Sequence, residues 1–287
     1  MIVSKTRKPA WLNKKINLKE CYQMRALLND LNLNTVCQQA SCPNIGECFS
    51  RGEATFLILG EVCTRNCRFC GVKKGEPGEV DPGEPERVAE AVKRLNLKHI
   101  VITSVTRDDL PLGGAEIFVR TISSIRKKAA TTTIEVLIPD FQLNYEALKV
   151  VVDAKPEIIN HNVETVPSLY DSIRPMAIYR RSLEVLRIVR KMDSRIFTKS
   201  GLMLGLGEKE DEVLEVFYDL RQAGCDFLSM GQYLSPGLSH FPVKEYVSPE
   251  KFIYYKERAM GLGFLHVKSA PYVRSSYKAG EYLEKSR

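Results

Sequence analysis

No run of apolar residues in this 287-residue chain approaches the roughly 18 that a membrane span requires, and the amino-terminal MIVSKTRKPAWLNKK has no apolar stretch of the kind a secretory leader carries. A cytoplasmic protein with no membrane partner is expected. Histidine is scarce: there are four, and none precedes His99. A metal site in the first third of the chain therefore has to draw on other ligands. No G-x-G-x-x-G follows any apolar run, which argues against the dinucleotide-binding form of a parallel sheet. The formal charge of +7 comes from scattered basic residues, a few of them gathered at 178–195. No basic strip interleaved with aromatics appears, so nucleic acid is not an expected partner, whereas an acidic protein surface suits the charge.

What the chain does have is a local excess of cysteine. Of eight, Cys37, Cys42, Cys48, Cys63, Cys67 and Cys70 fall between positions 37 and 70, and the rest of the chain holds only Cys21 and Cys225. A chain of this length with 44% hydrophobic residues can build a core without disulfide staples. The cluster therefore reads as metal ligation in a reducing compartment. Cys21, in an amphipathic segment, and Cys225, entering an apolar run, read as buried structural thiols.

Apolar, often β-branched runs recur at 55–60, 99–104, 133–140, 157–160, 197–205 and 226–234. Amphipathic segments with helical spacing lie after them at 85–96, 114–129, 144–154, 179–192, 208–224 and 248–263, the last with Ser248 as N-cap before Pro249. Strand then helix, six times, predicts a parallel α/β fold, and the missing glycine fingerprint favours a wrapped over an open sheet. The expectation is a partial (β/α)6 TIM-type barrel. In such folds chemistry gathers at the carboxyl ends of the strands, and Cys63, Cys67 and Cys70 follow the first strand directly.

Three thiolates can hold three corners of a four-iron cubane and leave one iron open, whereas a cubane with all corners filled ordinarily only carries electrons. An open iron can chelate an amine and a carboxylate, as at the methionyl end of S-adenosylmethionine. On the residues alone the alternative is zinc, which takes four Cys or His ligands at paired spacings.

C-x3-C-x2-C after the first strand of a partial barrel resembles the radical S-adenosylmethionine (SAM) superfamily. The resemblance implies reductive cleavage of SAM to methionine and a 5′-deoxyadenosyl radical. It also assigns Gly113, Gly114 and Ala115 to the methionyl amine and Glu164 to the ribose. The second triad, Cys37, Cys42 and Cys48, has the spacing C-x4-C-x5-C and lies upstream of the first strand. With KPAWL (8–12), ATFLILGEVCTRNCRFCGVKKGEP, DDL (108–110), HNVETV (161–166), KSGLMLGLGE (199–208), GQYL (231–234), H-x-PV (240–243) and VRSSYKAG, it closely resembles the lipoyl synthase family from about residue 8 to 283.

That resemblance implies insertion of two sulfurs at C6 and C8 of a protein-bound octanoyl-lysine, at a cost of two SAM per lipoyl group. It implies two 4Fe-4S clusters, the auxiliary one being the sulfur store. Its ligands would be Cys37, Cys42, Cys48 and Ser276, and those of the SAM-cleaving one Cys63, Cys67 and Cys70. Residues 1–53 would carry the auxiliary cysteines, 54–247 the barrel and 248–287 a helix and the R-S-S-Y segment that closes the auxiliary site. Implied partners are an octanoylated carrier domain of a 2-oxoacid dehydrogenase or glycine cleavage complex, a ferredoxin- or flavodoxin-type donor and a cluster-repair protein. Leu112, where the family commonly has Asp, and Met176, where it has a small residue, depart from the pattern. The alternative is another sulfur-inserting radical enzyme, of the kind that methylthiolates RNA. There the first triad is spread over many tens of residues and a carboxyl-terminal RNA-binding domain follows, and neither is expected here. A two-cluster electron carrier would need four thiolates per cluster. Outside the triads, His99 is expected to pack at a strand start and His266 to be structural. His161, Lys199 and Arg174 are pocket candidates by location only.

Overall fold

The computed structural model describes residues 8–13 and 21–284. Residues 1–7, 14–20 and 285–287, parts of the two expected terminal extensions, lie outside the described residues. The six expected strands are β1 (Thr55–Ile58), β2 (His99–Ser104), β3 (Thr133–Leu137), β4 (Ile158–Asn160), β5 (Phe197–Leu204) and β6 (Phe227–Gln232). They alternate with α1 (Glu84–Arg94), α2 (Ala115–Lys128), α3 (Tyr145–Asp153), α4 (Tyr179–Met192), α5 (Glu210–Gln222) and α6 (Pro249–Gly261). A further parallel strand, β7 (His266–Ser269), follows α6. All seven pair in chain order in one sheet, and the pair Asn34–Thr35 lies antiparallel on β1. This is a partial barrel, with a seventh parallel strand beyond the six units. No helix among the described residues is long and apolar enough to cross a membrane.

The local reasons are ordinary ones. Ser248 accepts a hydrogen bond from the Lys251 N–H and Pro249 opens α6. Asn144 caps α3 in the same way. Helix α1 has Glu84 and Glu86 in its first turn and Lys93 and Arg94 in its last, matching the helix dipole, and buries Val88, Ala89, Ala91 and Val92 along one stripe. Strand alternation places Ile134 and Val136 in the core beneath the helices and leaves Glu135 on the opposite, inner face.

That inner face is filled by the chain's own carboxyl-terminal segment. Val273 lies against Gly231 near the top of β6, where a Cβ on the glycine would fall 1.9 Å from the Val273 carbonyl oxygen. Ser275 bonds Asn160 at the end of β4, and Gly280 packs on His99 at the start of β2. The fully buried Tyr282 ring then sits 5.2 Å from the Phe227 ring at the strand starts. The R-S-S-Y segment is thus the upper part of a lumen-filling strap.

Candidate active site

β1 ends in a left-handed turn, Leu59 and Gly60, in which the Leu59 N–H is taken up by the carboxylate of buried Glu84 at 2.7 Å. The turn throws the next residues across the carboxyl ends of the strands. Cys63 and its neighbours are zipped to the loop after β2: the Thr64 N–H donates to the Thr106 carbonyl at 3.0 Å, and the Thr106 N–H donates to Cys63 Sγ at 3.3 Å. Arg68 continues the attachment, its N–H bonding the Ile173 carbonyl and its own carbonyl accepting from the Phe241 N–H. Under the loop, Arg65 is 5% exposed and spans Asp108 (2.7 and 2.9 Å) and Asp140 (2.6 Å), itself 1% exposed. Burial alone would raise the Asp140 pKa, but Arg65 holds it well below the usual carboxylate range.

Cys37 lies in a single turn of helix that Thr35 caps, and the Cys42 N–H returns to the Cys37 carbonyl at 3.0 Å. Cys48 follows in the short helix Ile45–Ser50. The carboxyl-terminal segment secures this region: Asn44 Nδ2 donates to the Tyr272 carbonyl at 2.7 Å and the Tyr277 hydroxyl to Glu47 at 2.7 Å, while the Tyr272 hydroxyl ties the same segment to the Leu12 carbonyl. Gly71, directly after Cys70, packs on the helix of the other triad, with a Cβ there only 3.1 Å from the Gln39 carbonyl oxygen. The two cysteine loops touch because that position has no side chain.

One cavity of about 470 Å³ is walled by Cys37 and Cys42, by Cys63, Cys67 and Cys70, and by Ser276. Its volume falls within the roughly 300–1,000 Å³ of small-molecule sites. Val36, Leu57, Leu137, Ile138, Leu202 and Met203 supply apolar wall; Glu164, Arg174 and Arg274 supply charge. Neither triad is a closed single-ion site, since among the described residues no three His, Cys, Asp or Glu side chains are arranged to hold one metal ion.

Cys37, Cys48 and Cys70 are raised in pKa. Burial and the Cys42 thiol push Cys37 up to about 11, burial and its two triad partners push Cys48 to about 12, and burial with Cys67 and Cys63 lifts Cys70 to about 12. Grouped buried thiols repel one another as thiolates, so they need a positively charged centre to ionise against. Arg174 is buried with Nε unpartnered beside Cys67, whose thiol responds to its charge, and Glu164 is within reach of the same arginine. These residues fit iron–sulfur clusters and an ionic small molecule.

The two adjacent serines are not equivalent. Ser275 Oγ accepts from Asn160 Nδ2 at 2.7 Å and donates to Asn162 Oδ1 at 3.0 Å, which commits its only proton. Ser276 lines the cavity and its hydroxyl bonds no described residue. Gly113 and Gly114 stand at the start of α2 with φ of +58° and +84°, packed on Phe141 and Leu59; with Ala115 they lie outside the cavity lining. Ser104, the last residue of β2, and Val105 and Thr106 directly after it line it instead, and sequence reasoning missed them; their position at a strand's carboxyl end was the available signal.

His161 lines the cavity with both ring nitrogens engaged, by the Ile138 carbonyl and Ser182, and burial and Arg174 lower its pKa to about 4. Lys199 is fully buried against Glu135 at 2.9 Å, outside the cavity lining, and His99 starts β2. Cys21 and Cys225 are fully buried, and Leu112 packs on the core while Met176 is exposed.

Residues 57–220 match the family described as the Radical SAM superfamily. Over 277 residues the chain is 57% identical to "Lipoyl synthase" of Caldicellulosiruptor saccharolyticus, covering 96% of this chain and 97% of that protein. The like-named protein of Citrifermentans bemidjiense is 58% identical over 278 residues, 97% and 95% of the two chains. Among solved structures, methylornithine synthase (PylB) superposes with a TM-score of 0.56 at 15% identity, over 84% of this chain and 73% of that one. The FeFe-hydrogenase maturase HydG from Carboxydothermus hydrogenoformans gives 0.54 at 15% identity, over 96% and 73%. These two likenesses concern the fold.

Proposed function

The chain belongs to the lipoyl synthase family within the radical SAM superfamily, and from that premise we propose how its residues divide the work. As an enzyme of this family it uses a 4Fe-4S cluster and SAM and acts on a protein-bound octanoyl group. For the SAM-cleaving cluster we assign Cys63, Cys67 and Cys70, and for a second, auxiliary cluster Cys37, Cys42, Cys48 and Ser276. When bound, the first group supplies the electron that cleaves SAM to a hydrogen-abstracting radical, and the second supplies sulfur. The observation that carries the assignment is the single cavity whose walls hold members of both triads together with the uncommitted hydroxyl of Ser276.

The chain's own residues bind, orient and exclude water. Arg174, with a free buried Nε, is placed to take a carboxylate, and Glu164 to accept from hydroxyls. Thr106 fixes Cys63 from above, while Gly113, Gly114 and Ala115 shape the loop that carries Thr106 back into α2. The aliphatic wall between the triads suits the saturated octanoyl chain, so C6 and C8 would lie where both groups reach them. Ser276 offers iron a harder, less retentive ligand than a fourth thiolate, which suits a cluster that gives up sulfide. Residues 1–53 and 248–287 would then serve the sulfur-donating half and 54–247 the SAM-cleaving half. An octanoylated carrier domain, of a 2-oxoacid dehydrogenase or of the glycine cleavage system, is the proposed macromolecular substrate. A ferredoxin or flavodoxin is the proposed donor, and the reducing cytoplasm the compartment.

Anaerobic reconstitution with SAM, reductant and an octanoyl-lysine peptide tests this. The expected product has gained two sulfurs and lost two hydrogens by mass. Deoxyadenosine without sulfur gain would overturn the assignment of the second triad.

A further inference from the structure

We infer that Asn162 and Ser275 form a positioning bridge that makes SAM binding and the integrity of the auxiliary cluster depend on one another; the inference rests on the two-site reading above. Asn162 sits one residue beyond the loop start after β4 and uses both ends of its amide. Its Nδ2 donates to Glu164 Oε1 at 3.0 Å, on the side assigned to SAM, and its Oδ1 accepts from the Ser275 hydroxyl at 3.0 Å, on the side assigned to the auxiliary cluster. Ser275 is the immediate neighbour of Ser276. Turning the amide to improve either contact therefore spoils the other.

The bridge is built on a rigid base. Asn160 Nδ2 divides its two protons between Ser275 Oγ (2.7 Å) and Glu135 Oε1 (2.9 Å), and Glu135 is clamped by Lys199 at 2.9 and 3.0 Å, all three base residues being fully buried. Two strand glycines clear the space. A Cβ on Gly201 would lie 2.7 Å from Asn162 Oδ1, and one on Gly231 would collide with the Val273 carbonyl. Glu164 is held on its side by backbone bonds to β5, through the Gly201 carbonyl and the Met203 N–H, with a left-handed φ of +66° that a glutamate adopts only under such constraint. Both ends of the bridge are thus over-determined, and the amide between them is the element that can respond.

Coupling through a shared element is reciprocal: whatever factor SAM contributes to holding the auxiliary cluster, the cluster contributes to holding SAM. In the wild-type holoenzyme without reductant, saturating SAM is expected to slow loss of the auxiliary iron to a chelator by about fivefold or more. Ser275→Ala, which leaves all proposed iron ligands in place, should weaken SAM binding by a similar factor and abolish the protection, and Ser275→Thr should restore both. Tyr277→Phe, which loosens the same segment at Glu47 but spares the bridge, should leave SAM affinity unchanged. The inference is overturned if Ser275→Ala binds SAM within twofold of wild type, or if Tyr277→Phe weakens it as much. Failure of the two-site reading shows itself separately, as a wild-type iron content that Cys37→Ala does not lower.

Discussion

Cys37 and Cys42 of one triad and all three cysteines of the other line one cavity, Cys48 lying outside its lining, and the two triads are anchored by different means. The loop carrying Cys63, Cys67 and Cys70 leaves a barrel strand and is locked from beneath by a guanidinium buried between two carboxylates. The region carrying Cys37, Cys42 and Cys48 lies outside the parallel strands and is strapped by single hydrogen bonds to the carboxyl-terminal segment and by the partly exposed Arg51 with Glu47 and Glu53. Breaking a buried ion pair costs about 3–5 kcal/mol, a lone hydrogen bond about 1. The first anchorage would suit the proposed SAM-cleaving centre, which has to return unchanged after each turnover, and the second the proposed sulfur-donating one.

The comparison can be broken most directly at the thiols. Cys67→Ala should abolish deoxyadenosine formation, whereas Cys37→Ala should leave deoxyadenosine and abolish lipoyl product; chromatography of the two products decides it. If both variants lose deoxyadenosine equally, the division of labour is wrong. Next in size is the buried anchor: Arg65→Leu leaves Asp140 with Arg181 alone, at 2.7 Å, and removes the partner of Asp108, and should cost about 3 kcal/mol in denaturant unfolding. Radical-cluster occupancy should fall about 10- to 100-fold, with the auxiliary iron retained.

A pH series sharpens the same point. His161 has its folded pKa lowered to about 4 by burial and Arg174, with Asp140 opposing and Arg65 adding to it. Folded protein therefore binds fewer protons there than unfolded protein, whose histidine titrates near 6.5. Its contribution is complete above pH 6.5 and is lost as pH falls towards 4, on the order of 3 kcal/mol, so the barrel side should loosen across that window in hydrogen exchange. Glu135 follows the same sign: burial would raise its pKa, but Lys199 and His99 bring it down to about 2. Its support for the strap is complete above pH 4.5 and fades towards pH 2.

Ser276→Cys should make the auxiliary cluster more resistant to chelator while lowering lipoyl yield; an unchanged yield would remove the argument for a hard fourth ligand. The smallest effect belongs to Arg51→Ala on the partly exposed side, about 0–1 kcal/mol by urea titration.

Much of this was legible in the sequence. The six strand–helix units, the cap at Ser248 and the placement of Cys63 just past the first strand are carried by contiguous residues, and the structure has them. β7 was not legible, because HVKS is four residues with three polar side chains and owes its pairing to β6 alone. Nor were Thr106 and Ser104: the Gly-Gly pair drew attention to the helix start, while the cavity is met several residues earlier, at the strand end. Lys199 could not be told from a surface lysine until Glu135, from another strand, was found beside it.

By itself, then, the sequence determined the periodicity of its elements and the spacing of its thiols, since both are properties of neighbours along the chain. Only the tertiary structure decided that the carboxyl-terminal strap fills the barrel, that five of the six clustered cysteines line one cavity, and that Ser276 rather than Ser275 keeps a free hydroxyl. The deciding contacts join residues more than a hundred positions apart, as Asn162 and Ser275 are, and no local pattern records which distant partner will use up a hydroxyl's single proton.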